Sequence, residues 1–230
     1  MIMKSSITHV FFDLDHTLWD FDRNSALAFA RVFKKHAIQV PVEDFISVYE
    51  PINFEYWKRF REERVSKQNL RRGRLIDTFS RFNQNYPLDT IDTLAVAYID
   101  ELPEDNHLLD GAAEILEYLA PNYNLHIITN GFQEVQKLKL QKSAIGHFFD
   151  TITSSEEVGV KKPNPLVFKA ALKKASAGSS ESIMIGDTFE ADILGAEGIG
   201  MKTLFYNYRK EEIPSKYLLV NHLLEIKNHL

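Results

Sequence analysis

The chain reads as an α/β protein, a doubly wound parallel sheet with an inserted α-helical cap following its first strand. Two patterns predict this. From about residue 111 to 210, β-branched and aromatic runs alternate with helical stretches, the way a parallel sheet with helices on both faces is written. Ahead of that region, residues 22–102 carry helical periodicity and no convincing strand, so they read as an insertion.

In chain order, strands are expected at ITHVFFDLD (7–15), NLHIITNG (124–131), FFDTITSS (148–155), SIMIGDT (182–188) and KTLFYN (202–207). Each has the short, apolar, β-branched character of a strand buried on both faces. The intervening helices are expected at GAAEILEYLA (111–120), EVQKLKLQKS (134–143), PLVFKAALKKA (165–175) and EADILGAEG (190–198). Within the insertion, NSALAFARVFKKHAI and the run from FEYWKRF to DTFSRFNQNY repeat apolar residues at helical spacing. The insertion leaves near WDFDRN and returns near LPEDNHLLDG, both rich in turn formers, which predicts a core domain of 1–21 with 103–230 and a cap of 22–102. The tail YLLVNHLLEIKNHL is expected to add a short strand and a closing helix.

Composition narrows the chemistry. The 230 residues include no cysteine, which excludes disulfides, thiolate metal sites and a thiol nucleophile. A net charge of -5 argues against wrapping a nucleic acid polymer and favours a small substrate. No apolar stretch approaches the roughly 20 residues that span a bilayer, and MIMKSSITHV lacks the apolar core of a signal peptide. The expectation is a cytoplasmic enzyme, monomer or homodimer, without membrane contact.

The strand ends carry the candidate chemistry, and ligands of doubly wound sheets sit beyond those ends. Asp13 and Asp15 close the first strand two residues apart, so both can address one bound group, and their mutual repulsion invites a divalent cation. A lone D-x-D is more often a solvated strand end, but Thr17 adds a hydroxyl that can orient the turn or the ligand. The second strand stops at Thr129, Asn130 and Gly131, which suit phosphate oxygens but also make an ordinary turn. Asp187 lies just past a buried strand, while Asp192, in a helix opening, is by itself an ordinary capping residue. Lys161 and Lys162 precede a proline, and one cation fits among these acids. The eight histidines show no metal-ligand spacing.

The ordered set DLDHT, TNG, KKP and GDTFEAD resembles the haloacid dehalogenase superfamily over about residues 7–210, in its phosphatase branch with a C1-type helical cap on a Rossmann-like core. DLDHTLWDF together with the small cap is most similar to the group that includes pyrimidine 5′-nucleotidases. The resemblance implies that Asp13 is the nucleophile that forms an aspartyl phosphate, and that Asp15 is acid and then base. Thr129 would bind the phosphoryl group, with Asn130 and Gly131 shaping the turn, and Lys162 would stabilise phosphoryl charge, with Lys161 the fallback. It further implies magnesium held by Asp13, the Asp15 carbonyl and Asp187, with Asp192 acting through water or from the outer shell. Dehalogenases of the superfamily lack the second aspartate and need no magnesium, so Asp15 points to phosphate chemistry. A sugar phosphate phosphatase or phosphomutase is the alternative on this scaffold. A phosphoacceptor signalling module is more remote, because it would lack both Asp15 and the insertion.

The insertion is dense in aromatics and bases between residues 49 and 82. Most of those rings are expected to fill the cap interior and most charges to face water. Arg74, in LRRGRL, resembles the family's LRxxR pattern and is the candidate substrate contact there. Trp19 and Phe21 are candidates to line a leaving-group pocket, and His16 is expected to be a solvent-facing turn residue.

Overall fold

The computed structural model describes residues 6–230. The chain enters through β1 (His9–Phe12) and continues into four helices, α1 (Phe21–Lys35), α2 (Val42–Arg61), α3 (Lys67–Ser80) and α4 (Leu88–Glu101). It then runs through α5 (Ala112–Leu119), β2 (Asn124–Thr129), α6 (Gln133–Lys142), β3 (Phe149–Ser154), the short α7 (Ser155–Val158), α8 (Pro165–Ala175), β4 (Ser182–Gly186), β5 (Lys202–Tyr206) and β6 (Leu219–Val220). Two compact units result: one comprises the chain up to Asp20 and Asn106–Leu230, the other Phe21–Asp105.

The first unit is built on a six-stranded, wholly parallel sheet in the order β3-β2-β1-β4-β5-β6. The chain moves outward from β1 through β2 and β3, then crosses back to β4 on the other side of β1. That reversal leaves a crevice at the carboxyl ends of β1 and β4, the place where doubly wound sheets bind ligands. Register fixes what meets there: Phe12 is level with Ile127 of β2 and Ile185 of β4, so Asp13, Thr129 and Asp187 emerge from neighbouring strand ends. One face of the sheet packs Phe11, Ile128 and Met184 against Val167, Phe168, Ala171 and Leu172 of α8. Burial at such positions contributes about 25 cal/mol per Å² of apolar surface, which is why the side chains at these positions are apolar.

Helix starts follow local chemistry. Asn164 caps α8 by accepting the Leu166 N–H at 3.0 Å, with Pro165 at the first helical position. One segment departs from the helix expected of it. Residues Phe189–Leu194 wind as a π-helical turn, a form that recurs at functional sites, with only a short α-helical turn behind it. The tail forms the expected short strand, β6, and closes in a 3-10 helix over Leu223–Asn228.

The second unit packs α1 to α4 around aromatic rings. Phe29 stacks on Tyr98 at 4.2 Å between centroids and meets Phe45 and Tyr49 at 4.9 and 4.7 Å, and Phe79 joins Phe45 at 5.0 Å. Tyr49, Phe60 and Phe79 are buried as expected, whereas Phe54 is exposed. Among the described residues no helix is long and apolar enough to cross a membrane.

Candidate active site

Beyond Phe12 the backbone leaves the sheet in a tight turn in which the Leu14 carbonyl accepts the N–H groups of Thr17, Leu18 and Trp19. This turn aims Asp13 over the sheet edge and holds Thr17 fully buried, its hydroxyl 3.5 Å from Asp187 Oδ1. His16 takes the left-handed conformation the turn requires (φ 60°), with its ring 5.3 Å from that of Tyr208.

Asp13, Asp187 and Asp192 converge, each offering an oxygen within 4.8 Å of the others, and all three are buried. Lys162 supplies the counter-charge: its ammonium lies 2.6 Å from Asp13 Oδ1 and donates to the Ile128 carbonyl at 2.8 Å. Asp192 Oδ1 is also 2.6 Å from that ammonium, as an ion pair off the hydrogen-bond line, while its Oδ2 accepts the Thr188 N–H at 3.0 Å. This answers which lysine serves the site. It is Lys162, and Asn130 is the reason: its side-chain amide accepts the Lys162 N–H at 2.9 Å and donates to the Lys162 carbonyl at 3.1 Å, clamping that residue's backbone. Gly186 is needed beside Asp192, since a Cβ there would come within 2.4 Å of the carboxylate.

The electrostatics leave an excess of negative charge. Burial pushes the Asp13 carboxyl well above the usual carboxylate range; Lys162 opposes this, and Asp192 and Asp187 add to it. Burial also raises Asp192, again against Lys162. For Lys162 burial pulls the ammonium down, but Asp13 and Asp192 more than offset it and keep it charged. Three buried carboxylates against the Lys162 ammonium and the Arg209 guanidinium leave a hard oxygen-donor set suited to a divalent cation. Arg209 approaches from the outside and pairs with Asp187 Oδ2.

Asp15 points elsewhere in the same unit. Its Oδ1 accepts from Lys139 Nζ at 2.5 Å and its Oδ2 from Gln136 Nε2 at 3.0 Å. Gln136 Nε2 also donates to Thr129 Oγ1 at 2.7 Å, and the same hydroxyl oxygen accepts the Gly131 N–H at 3.0 Å. Gly131 makes room for this arrangement, because a Cβ there would lie 2.3 Å from Gln136 Nε2. Trp19, expected at a leaving-group pocket, is instead fully buried beneath the Lys139 ammonium, which sits 4.0 Å from its ring centroid.

Arg74 belongs to the second unit. It is 2% exposed, donates to Asn53 Oδ1 at 2.9 Å and lies over the rings of Tyr98 and Tyr49 at 5.1 and 5.8 Å. The expected substrate contact is thus already engaged inside its own unit. Gln136, Lys139 and Arg209 were not legible as site residues. For the first two the available signal is a pair of polar side chains, three residues apart, in the helix that follows TNG.

A sheet order that reverses at β1, with buried acids and one lysine at the reversal, matches a known class. The family model for haloacid dehalogenase-like hydrolases matches residues 10–206, and the chain belongs to that family. Its relatives include phosphatases and nucleotidases, and the protein is an enzyme of that hydrolase kind. It is 34% identical to the pyrimidine 5′-nucleotidase YjjG of Escherichia coli (strain K12), over 89% of this chain and 88% of the relative. To the pyrimidine 5′-nucleotidase PynA of Streptococcus pneumoniae (strain ATCC BAA-255 / R6) it is 32% identical, over 85% and 82%. A glyceraldehyde 3-phosphate phosphatase of Pyrococcus abyssi (strain GE5 / Orsay) is 31% identical, over 87% and 82%. Among solved structures, the putative HAD-hydrolase YfnB from Bacillus subtilis, crystallised with magnesium, superposes with a TM-score of 0.88 at 26% identity, covering 97% of this chain and 98% of that one.

Proposed function

We propose that the protein is a magnesium-dependent phosphomonoester hydrolase acting on small phosphorylated metabolites in the cytoplasm, with nucleoside 5′-monophosphates as its substrates. The observation that carries the reaction class is the buried convergence of Asp13, Asp187 and Asp192 on Lys162 at the sheet's reversal point. The nucleotide preference rests on similarity to two pyrimidine 5′-nucleotidases.

In this reading Asp13 Oδ attacks phosphorus, the bond to the leaving oxygen breaks, and a proton from the Asp15 carboxyl passes to that oxygen. Asp15, now a carboxylate, takes a proton from water as the water oxygen attacks the aspartyl phosphate, which frees Asp13 and releases phosphate. Lys162 and the Thr129 hydroxyl bind the phosphoryl oxygens, and Asn130 keeps Lys162 aimed. Asp13, Asp187 and the Asp15 carbonyl would hold the magnesium, with Asp192 behind them. Bound there, the ion would supply charge neutralisation for the nucleophile and the phosphoryl group.

The deciding experiment measures phosphate release from a panel of nucleoside monophosphates and sugar phosphates, with magnesium and then with chelator. Pyrimidine nucleotides should lead the panel, and chelation should stop turnover. Asp13→Asn should lower turnover by roughly three orders of magnitude or more with the fold intact; metal-dependent activity surviving in that variant would remove Asp13 as nucleophile. Similarity to glyceraldehyde 3-phosphate phosphatases favours a second reading, a triose phosphate substrate, which the same panel separates.

A further inference from the structure

Helix α6 buries two polar side chains on the face that also buries Val135 and Leu140. Lys139 is 2% exposed and Gln136 is buried, whereas their neighbour Leu138 is 41% exposed. Lysine and glutamine ordinarily lie on the wet face of such a helix, so their place on the inner face needs a reason. A buried ammonium is tolerated only where its charge is answered, and here the answer is Asp15 Oδ1 at 2.5 Å on one side and the Trp19 ring on the other. Gln136, one turn earlier on the same face, gives one amide hydrogen to Asp15 Oδ2 and the other to Thr129 Oγ1. The assignment of its nitrogen follows from chemistry, since the amide oxygen would repel a carboxylate. Its Oε1 is left buried without a partner, which is the cost of spending both hydrogens on the site.

We infer that Gln136 and Lys139 are positioning residues for the hydrolytic reaction. Together they fix both oxygens of Asp15, and Gln136 ties that carboxylate to the phosphoryl-binding hydroxyl of Thr129, so the proton-transfer group and the phosphate cradle keep one spacing. This rests on the reading of Asp15 as acid and base given above. Neither residue is assigned a contact with the phosphorus or the leaving oxygen; they act by holding the two oxygens of Asp15.

The test compares two substrates that differ only in their need for an acid. p-Nitrophenyl phosphate expels a stable phenolate with little protonation, whereas phenyl phosphate has a poorer leaving group. In rapid-mixing experiments with the magnesium-loaded enzyme, Lys139→Met and Gln136→Met should keep the stoichiometric burst of p-nitrophenolate, followed by steady turnover slowed about 10- to 100-fold, at or below the lower end of what acid–base catalysis contributes. With phenyl phosphate the first step itself should slow by a similar factor at unchanged KM. Lys139→Arg, which keeps a cation over Trp19, should recover part of the loss. Equal slowing of both first steps would mean a merely structural role and overturn the inference, as would wild-type kinetics in the two methionine variants. Asp15→Asn is run alongside. If it turns over normally, the acid–base reading itself falls; if it shows the burst pattern and the α6 variants do not, only the positioning inference falls. Should Lys139→Met not fold, Gln136→Met, which removes no charge, carries the same comparison.

Discussion

Lys162 in the sheet-bearing unit and Arg74 in the helical unit are both buried cations, and they are stabilised by different means. Lys162 sits at the edge of the parallel sheet with carboxylates at 2.6 Å on two sides and a backbone carbonyl at 2.8 Å. Arg74, equally buried among helices, makes no ion pair among the described residues; it has one amide oxygen and two tyrosine faces, and its Nε lacks a partner. The difference teaches where the molecule concentrates its charge. A delocalised, weakly hydrated guanidinium is content against aromatic rings, so it can be a packing element. A compact ammonium needs a carboxylate as well, as Lys139 has in Asp15 beside the Trp19 ring, and the carboxylates gathered around Lys162 carry more negative charge than it can answer.

The comparison can be broken most severely at Lys162. Lys162→Met strands Asp13 and Asp192 without their partner, and chemical denaturation of the metal-free protein should show a loss of roughly 3–5 kcal/mol. Turnover should fall with it, and stability close to wild type would mean the carboxylates are not held as described. Next comes the metal: millimolar magnesium should raise the melting temperature by several degrees, on the order of the shift expected when ligand greatly exceeds its Kd, and Asp187→Asn should abolish that rise. Arg74→Met should cost much less, about 1 kcal/mol, because it deletes one hydrogen bond and two ring contacts but leaves no buried charge unpaired. A rise in KM at constant kcat in that variant would add substrate contact to its packing role.

A pH-dependent effect separates the site from the rest of the sheet. His126 on β2 bonds His9 at 3.0 Å and Thr151 at 2.9 Å, a polar row across three strands. Burial, with His9 adding to it, lowers its pKa to about 4 from the ordinary 6.5. The folded state therefore prefers neutral imidazole, and the unfolded chain binds the extra proton on acidification. This contribution is complete above pH 6.5 and is lost as pH falls toward 4. Denaturant midpoints measured across that window should fall less steeply in His126→Gln than in wild type.

Much of this was legible because strand ends advertise themselves. Asp13, Thr129 and Asp187 each follow an apolar run directly, and parallel register converts that local pattern into spatial convergence. Lys162 was ambiguous with Lys161 because adjacent residues look alike until a partner distinguishes them; the clamp from Asn130 does so, and it joins two loops distant in sequence. Lys139 was hidden for the opposite reason. Hydropathy assigns the inner face of α6 to Val135 and the leucines, and the lysine that shares it is explained only by the carboxylate waiting in three dimensions. The π-helical turn at Phe189–Leu194 was equally invisible, since its spacing differs from an α-helix by one residue per turn.

The points where the chain departs from and rejoins the sheet-bearing unit are stitched together. Leu109 N–H bonds to Leu18 O at 2.9 Å, Asp20 N–H bonds to His107 O at 3.0 Å, and Trp19 and Leu108 form an antiparallel bridge between them. Whatever lies between such apposed ends is topologically a long loop, and lengthening or shortening it changes closure entropy only logarithmically. The intervening portion can therefore differ in length at little entropic cost to the unit that carries the sheet.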